Sequence, residues 1–450
     1  MLARWSHLFP SRTQKLSTVV AKVSEQSGRI ASRRAFFILK FSDPLLYNSS
    51  VMKKINFIFL RSKVGNDSRF KDEEKARFLN ALNENNDFEF DPSGETIFFI
   101  ETGGTEEEFK SIFKSYKEPY FILATDANNS LPASLEIASF LRKEGKKFHL
   151  FHGHPEEVRE QLKSDKFSEI SRKSGGFLKF DKLNHMRLGV VGKPSDWLIS
   201  SDVNYKDAEE KFGVKLVDIS TEEFLDQVKK TDEKIDPIIF EPLLNEKVDK
   251  ETLNGALRIY NALRDLIIKH NLNGLTVRCF DLLTSVKNTS CLALAMLNKD
   301  GYIATCEGDV PAMLSMAIVK KAFNQSSFQV NPSYLNLKER YGYFAHCTIP
   351  LDMCLSYKFD THFESGIGLG IKGRLNLGKV TIFKMNANLK DYEVFEGSIA
   401  ENLDRNNLCR TQVKVKFNEP IDEMFASPNG NHLIIFYGAH KEELVKILSN

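Results

Sequence analysis

The sequence predicts an α/β protein: parallel sheets through most of its length, then a mostly antiparallel, barrel-like β segment at the C-terminus. Three observations carry this. From Met52 onward, short apolar runs of strand length alternate with amphipathic helical stretches roughly every 20–30 residues, the signature of βαβ units. After about residue 326 helical periodicity fades, Gly and Asn become frequent, and strand-like runs follow one another. No apolar run approaches the ~18 residues a membrane-spanning helix needs.

The elements follow in order. Ile55–Leu60, Thr96–Glu101, Tyr120–Ala124 and Lys147–Phe151 read as buried parallel strands. Helical periodicity between them predicts helices at Lys71–Asn83, Glu106–Ser115 and Leu131–Glu144, the last with apolar residues at 135, 137, 138, 140 and 141. A second α/β block starts near Arg187, with strands Arg187–Val191, Lys215–Asp218, Leu275–Cys279 and Ile303–Cys306. Its helices are Tyr205–Phe212, Glu251–His270, Ser290–Asn298 and Ala312–Ala322, and the polar tract Asp165–Gly176 reads as a surface connection. The C-terminal strands are expected at Tyr343–Cys347, Gly366–Lys372, Lys379–Met385, Arg410–Phe417 and His432–Tyr437, with a closing helix at Lys441–Leu448. The domains implied are 52–155, 156–325 and 326–450, preceded by residues 1–51 as a basic extension or transit-like segment.

Charge and cysteine usage exclude several functions. Residues 1–51 carry eight Lys/Arg against two acids, so the net charge of +2 leaves the rest of the chain mildly acidic. Such a body offers no field for a polyanion, which excludes nucleic-acid binding. The six cysteines (279, 291, 306, 347, 354 and 409) contain no C-x-x-C pair. That usage fits a reducing compartment, hence the cytoplasm, or an organelle if residues 1–51 are a transit peptide, and speaks against a disulfide scaffold or a structural zinc site. Neither a G-x-G-x-x-G turn nor a P-loop is present, so nucleotide binding has no support.

A few positions carry chemistry. The turn Glu101-Thr102-Gly103-Gly104-Thr105-Glu106 links a strand to a helix; its glycines let backbone amides approach an anion or a sugar hydroxyl, and Thr105 alternatively serves as a plain helix cap. Glu307 follows a strand and precedes a helix opened by Pro311, at the sheet edge where α/β proteins bind ligands. Gly308 gives the backbone room, and Asp309 suits an N-cap. His346, His362 and Asn431-His432 sit in apolar surroundings, where a histidine is either a hydrogen-bonded core residue or a ligand. His152-Gly153-His154 reads as a surface loop pair.

Taken together, Gly192-Lys193-Pro194-Ser195-Asp196-Trp197-Leu198, Thr276-Val277-Arg278-Cys279-Phe280-Asp281, Cys306-Glu307-Gly308-Asp309, Asn331-Pro332, Ala345-His346-Cys347, Thr361-His362-Phe363-Glu364-Ser365-Gly366 and Asn431-His432 resemble the L-fucose isomerase/L-arabinose isomerase superfamily, in particular its shorter fucose-isomerase-like members. The turn at 103–105 extends the resemblance into the first domain. It implies two Rossmann-like domains followed by a barrel-like one, and Mn²⁺ or another divalent cation as cofactor. The implied metal ligands are Glu307, His346 and His432. The second carboxylate of the family pattern falls on Asn331, a departure, since an amide oxygen can ligate a hard cation but cannot act as acid or base.

The implied reaction interconverts an aldose and a ketose through an enediol, with Glu307 as catalytic carboxylate and Asp309, Glu364 or Asp281 as the second acid–base group. Gly104, Thr105, Trp197, His362 and Glu364 are the sugar-contact candidates. A homo-oligomer, trimer or hexamer, is implied by resemblance. An epimerase, a sugar-binding or regulatory protein that lost the reaction (prompted by Asn331), and an unrelated hydrolase using the same metal are the competing readings.

Overall fold

Parallel strands buried on both faces need near-continuous apolar runs, and the central strands of the first sheet, at Ile97–Ile100 and Tyr120–Ala124, meet that requirement. In the computed structural model, which describes residues 52–62, 68–164, 183–231 and 237–449, this sheet consists of β1 (Lys53–Leu60), β2 (Phe88–Phe90), β3 (Glu95–Ile100), β4 (Tyr120–Ala124) and β5 (Phe148–His152). The strand order is β2-β1-β3-β4-β5, all parallel. Along β3, Phe98 and Ile100 pack into one apolar cluster while Ile97 and Phe99 pack into another. Helices Ser68–Leu82, Glu106–Ile112 and Ser130–Lys143 connect its strands, and Pro155–Lys163 follows the last of them. Segment 1–51 and the tract Asp165–Gly176 lie outside the described residues.

The second sheet is parallel in the order β7-β6-β8-β9, from β6 (Arg187–Val191), β7 (Lys215–Ile219), β8 (Gly274–Val277) and β9 (Ile303–Cys306). Its long helix Lys250–His270 starts where the Asp249 carboxylate accepts from the Thr252 N–H, and stops at Asn271 in left-handed conformation.

The C-terminal strands are β10 (Phe328–Asn336), β11 (Tyr341–His346), β12 (Cys354–Asp360), β13 (Gly370–Leu375), β14 (Gly378–Met385), β15 (Tyr392–Asn402), β16 (Thr411–Phe417) and β17 (Leu433–Tyr437). Six close an antiparallel barrel in the order β10-β11-β16-β15-β14-β17, and β12–β13 form a separate ribbon. The expected architecture of two parallel-sheet α/β layers and an antiparallel barrel is therefore present. Among the described residues, no helix is long and apolar enough to cross a membrane.

Local expectations need correction at four places. The strand expected at Gly366–Lys372 starts only at Gly370, because Gly366 (φ +65°) and Gly368 (φ +66°) adopt left-handed conformations incompatible with an extended strand. β10, β12 and β15 were not anticipated; β10 carries Pro332, which a register shift between Pro332 and Tyr334 accommodates. The Thr105 side chain does not cap the following helix, since its hydroxyl turns inward to donate to the Thr102 carbonyl. His152 is buried, not on the surface: Nδ1 meets the Ala124 carbonyl, Nε2 accepts from the Leu335 N–H, and burial pushes its pKa down to about 4.

Candidate metal centre

The loop after β9 is shaped by two residues. Gly308 has φ +71°, and a Cβ there would lie 2.4 Å from the Lys193 carbonyl oxygen, so only glycine fits. Glu307 also has a positive φ, +65°, which costs a non-glycine residue about 1–2 kcal/mol. The turn 192–197 packs directly on this loop: the Ser195 N–H donates to the Glu307 carbonyl, and the Trp197 indole N–H donates to Glu307 Oε2 at 2.6 Å. Arg278 holds that turn through the Pro194 carbonyl and the Asp196 carboxylate, and also pairs with Asp281. Asp281, a candidate acid–base group from sequence, is thus engaged in an ion pair.

Glu307 Oε1 faces two imidazoles. His346 Nε2, at the end of β11, is 3.7 Å away, and His432 Nε2, just before β17, is 3.4 Å away. The three ligand atoms all lie within 4.8 Å of one another. These separations exceed a good hydrogen bond but suit ligands that share an ion, since donor atoms ~2.1 Å from one octahedral cation stand roughly 3 Å apart.

The imidazole orientations are set from behind: His346 Nδ1 meets the Thr348 hydroxyl at 2.9 Å, and His432 Nδ1 meets Asp309 Oδ2 at 2.8 Å. Both Nε2 atoms therefore turn toward Glu307, and His432 Nε2 is buried without a hydrogen-bond partner among the described residues. One carboxylate and two such imidazoles form a donor set that could hold a metal ion.

Burial opposes the charge on Glu307, yet His432 and His346 hold its carboxyl well below the usual range. Burial likewise opposes protonation of His432, but Glu307 and Asp309 raise its pKa to about 9.

Asp309 lies behind the centre, not among the ligand atoms. Its carboxylate is fully buried, caps the helix Val310–Phe323 through the Ala312 N–H at 2.7 Å, and pairs with Lys384 Nζ at 3.1 Å. Despite its burial, Lys384 and His432 keep its pKa at about 2. The side-chain contacts of Asp309 are to His432, Lys384 and the helix end, which sets it one layer behind the ligand atoms. Lys384, missed from sequence, is fully buried on the barrel face that also carries Val380 and Ile382. A lysine in phase with apolar neighbours on an alternating strand was the available signal.

Asn331 sits on β10 two residues beyond Gln329, whose side chain binds the Cys306 backbone immediately before Glu307. Its neighbour Val330 pairs with Leu433, next to His432, and Asn331 Oδ1 is buried without a hydrogen-bond partner among the described residues. Trp197, Phe280 and His362 form an edge-to-face aromatic row, with ring centroids 4.7 and 5.4 Å apart. His362 is fixed by the Ser365 hydroxyl, and the Glu364 carboxylate accepts from Asn129 Nδ2.

Gly104 has φ +77° and stands against Ser62. Thr105 is buried with its hydroxyl turned into its own turn, so that turn offers the site backbone and the next residue, Glu106, which sequence reasoning passed over. Glu136, also missed, ties the helix Ser130–Lys143 to the His432 loop by accepting from Ser200, Ser201 and Asn431.

The chain is 21% identical over 313 residues to a sulfoquinovose isomerase of Alkalicoccus urumqiensis, covering 65% of this chain and 67% of that protein. It is 19% identical over 341 residues to the sulfoquinovose isomerases of Priestia aryabhattai and Priestia megaterium, covering 71% of this chain and 73% of each. No protein-family profile matches. These relatives bear out, at a distance, the kinship with sugar isomerases expected from the motifs.

Proposed function

We propose that this chain is a divalent-metal-dependent sugar isomerase that interconverts an aldose and its ketose. The convergence of Glu307, His346 and His432, with Asp309 and Thr348 orienting the imidazoles, is the observation that carries this reading. The relatives named sulfoquinovose isomerase support the reaction class and put sulfoquinovose first among the sugars to test.

Glu307, His346, His432 and the Asn331 amide oxygen would hold the cation, which supplies Lewis-acid stabilisation of charge on the sugar oxygens. Ionised Glu307, aligned by Trp197, removes the proton at C2 of the opened sugar and returns it at C1 by way of an enediol. The row Trp197–Phe280–His362 offers an apolar wall for the sugar, and Glu364 a hydroxyl partner. The six free cysteines support a reducing, cytoplasmic setting.

The test incubates the protein with Mn²⁺ and a panel of aldoses, sulfoquinovose included, in deuterated water. Deuterium entering C1 or C2 is expected, and its loss in Glu307→Gln together with Mn²⁺ affinity. Retained Mn²⁺ affinity in that variant refutes the ligand assignment. A second reading, a sugar-binding protein on the same fold, is favoured by Asn331 alone, and tight sugar binding without exchange would select it.

A further inference from the structure

We propose that Glu106 is the second acid–base carboxyl of this centre, supplying from the first α/β layer the group that Asn331 does not; this rests on the isomerase reading above. Glu106 opens the helix after β3 and is 2% exposed, yet its Oε2 has no hydrogen-bond partner among the described residues. A buried carboxyl oxygen without a partner is costly, so Glu106 Oε2 is left with capacity to bond a ligand group.

The turn that delivers it touches the site. A Cβ on Gly103 would stand 3.0 Å from Asn129 Cβ and 3.8 Å from Glu364 Oε1, and Asn129 is the donor to that same carboxylate. Burial, and then the nearby charges of Glu136, Glu307 and Glu364, push the Glu106 carboxyl well above the usual range. Burial thus favours the neutral acid at Glu106 while Glu307 stays ionised, the division of labour found where two carboxyls share acid and base roles.

The other carboxyls have other partners. Glu136 accepts three hydrogen bonds, Asp309 meets His432 and Lys384, Asp281 pairs with Arg278, and Glu364 accepts from Asn129 and is already assigned to a sugar hydroxyl.

The proton bookkeeping closes on these two groups. Glu307 takes the C2 proton, the C2–H electron pair becomes the C1–C2 double bond, and the aldehyde π pair moves to O1, which takes the Glu106 proton. In the second half the O2–H proton passes to the Glu106 carboxylate, the C2 carbonyl forms, and C1 recovers the proton held by Glu307. Both carboxyls end as they began, and no oxidant or reductant is required.

The experiment compares wild-type, Glu106→Gln and Glu106→Asp proteins, each loaded with Mn²⁺, on a sugar that the wild type turns over. Expected for Glu106→Gln is a loss of roughly 10²–10⁴-fold in kcat, with KM and Mn²⁺ affinity by electron paramagnetic resonance within about threefold of wild type. Glu106→Asp, which keeps an acid and changes only its reach, recovers at least about tenfold over the Gln variant. A kcat within about threefold of wild type in Glu106→Gln overturns the proposal while leaving the isomerase reading intact. A loss of Mn²⁺ affinity matching that of Glu307→Gln overturns it too, by making Glu106 a ligand. If Glu106→Gln does not fold, an Asp variant no more impaired in kcat than in thermal stability overturns it. Should the wild type exchange deuterium into no sugar, both readings fall together.

Discussion

Asp309→Asn isolates what the buried charge behind His432 contributes. The asparagine oxygen still accepts from the Ala312 N–H, so the helix cap survives and only the charge is lost. Two consequences follow from the contacts. Lys384, fully buried and 3.1 Å from the carboxylate, is left without its counter-ion, and breaking a buried pair on one side costs about 3–5 kcal/mol. At ~2 °C per kcal/mol for a chain of this size, the melting temperature should fall by roughly 5–10 °C. His432 Nδ1 loses a charged partner at 2.8 Å, and removing such support behind a metal-binding histidine weakens metal affinity about 10–100-fold.

Calorimetric titration with Mn²⁺ and thermal unfolding of the same preparations measure both effects. Asp309→Asn combined with Lys384→Met separates them: stability should return because no ammonium remains unpaired, while Mn²⁺ affinity should stay low. If Asp309→Asn keeps its melting temperature within about 1 °C and its Mn²⁺ affinity within about twofold, the argument from the buried pair and from His432 orientation is refuted.

Three further outcomes are expected. Trp197→Phe removes a charge-assisted hydrogen bond to Glu307 worth about 1.5–3 kcal/mol, so kcat should drop roughly 10- to 100-fold while the aromatic wall persists; unchanged kcat would show that the indole N–H does not align the carboxylate. Asn331→Asp restores a carboxylate beside the centre and should raise the deuterium exchange rate, whereas a slower or unchanged rate means the amide is not limiting.

Glu393, buried beside Arg142 and Glu423, has its pKa raised to about 8, chiefly by burial. Its protonated form is favoured by folding, so the stability it contributes is complete below its ordinary pKa of 4.5 and is lost as pH rises toward 8. Denaturant melts of Glu393→Gln should match wild type near pH 5 and exceed it near pH 8; parallel pH curves would contradict this.

The sequence by itself determined the layered fold, because apolar alternation and βαβ spacing are local patterns that burial imposes on each strand and helix separately. It also determined the loop chemistry at Glu307-Gly308-Asp309, where a positive φ and a helix cap leave a local imprint, and it picked out His346 and His432 through family resemblance. Tertiary structure alone decided which groups each carboxyl meets. Trp197 and Glu307 are 110 residues apart, Asp309 and Lys384 are 75 apart, and Asp309 and His432 are 123 apart, so no spacing rule connects them. Only the fold could place Lys384 as the buried counter-ion of Asp309. The burial of Glu106 likewise comes from packing that no local pattern in the sequence encodes. A carboxyl's role depends on the charges and solvent around it, and those come from residues distant in the chain.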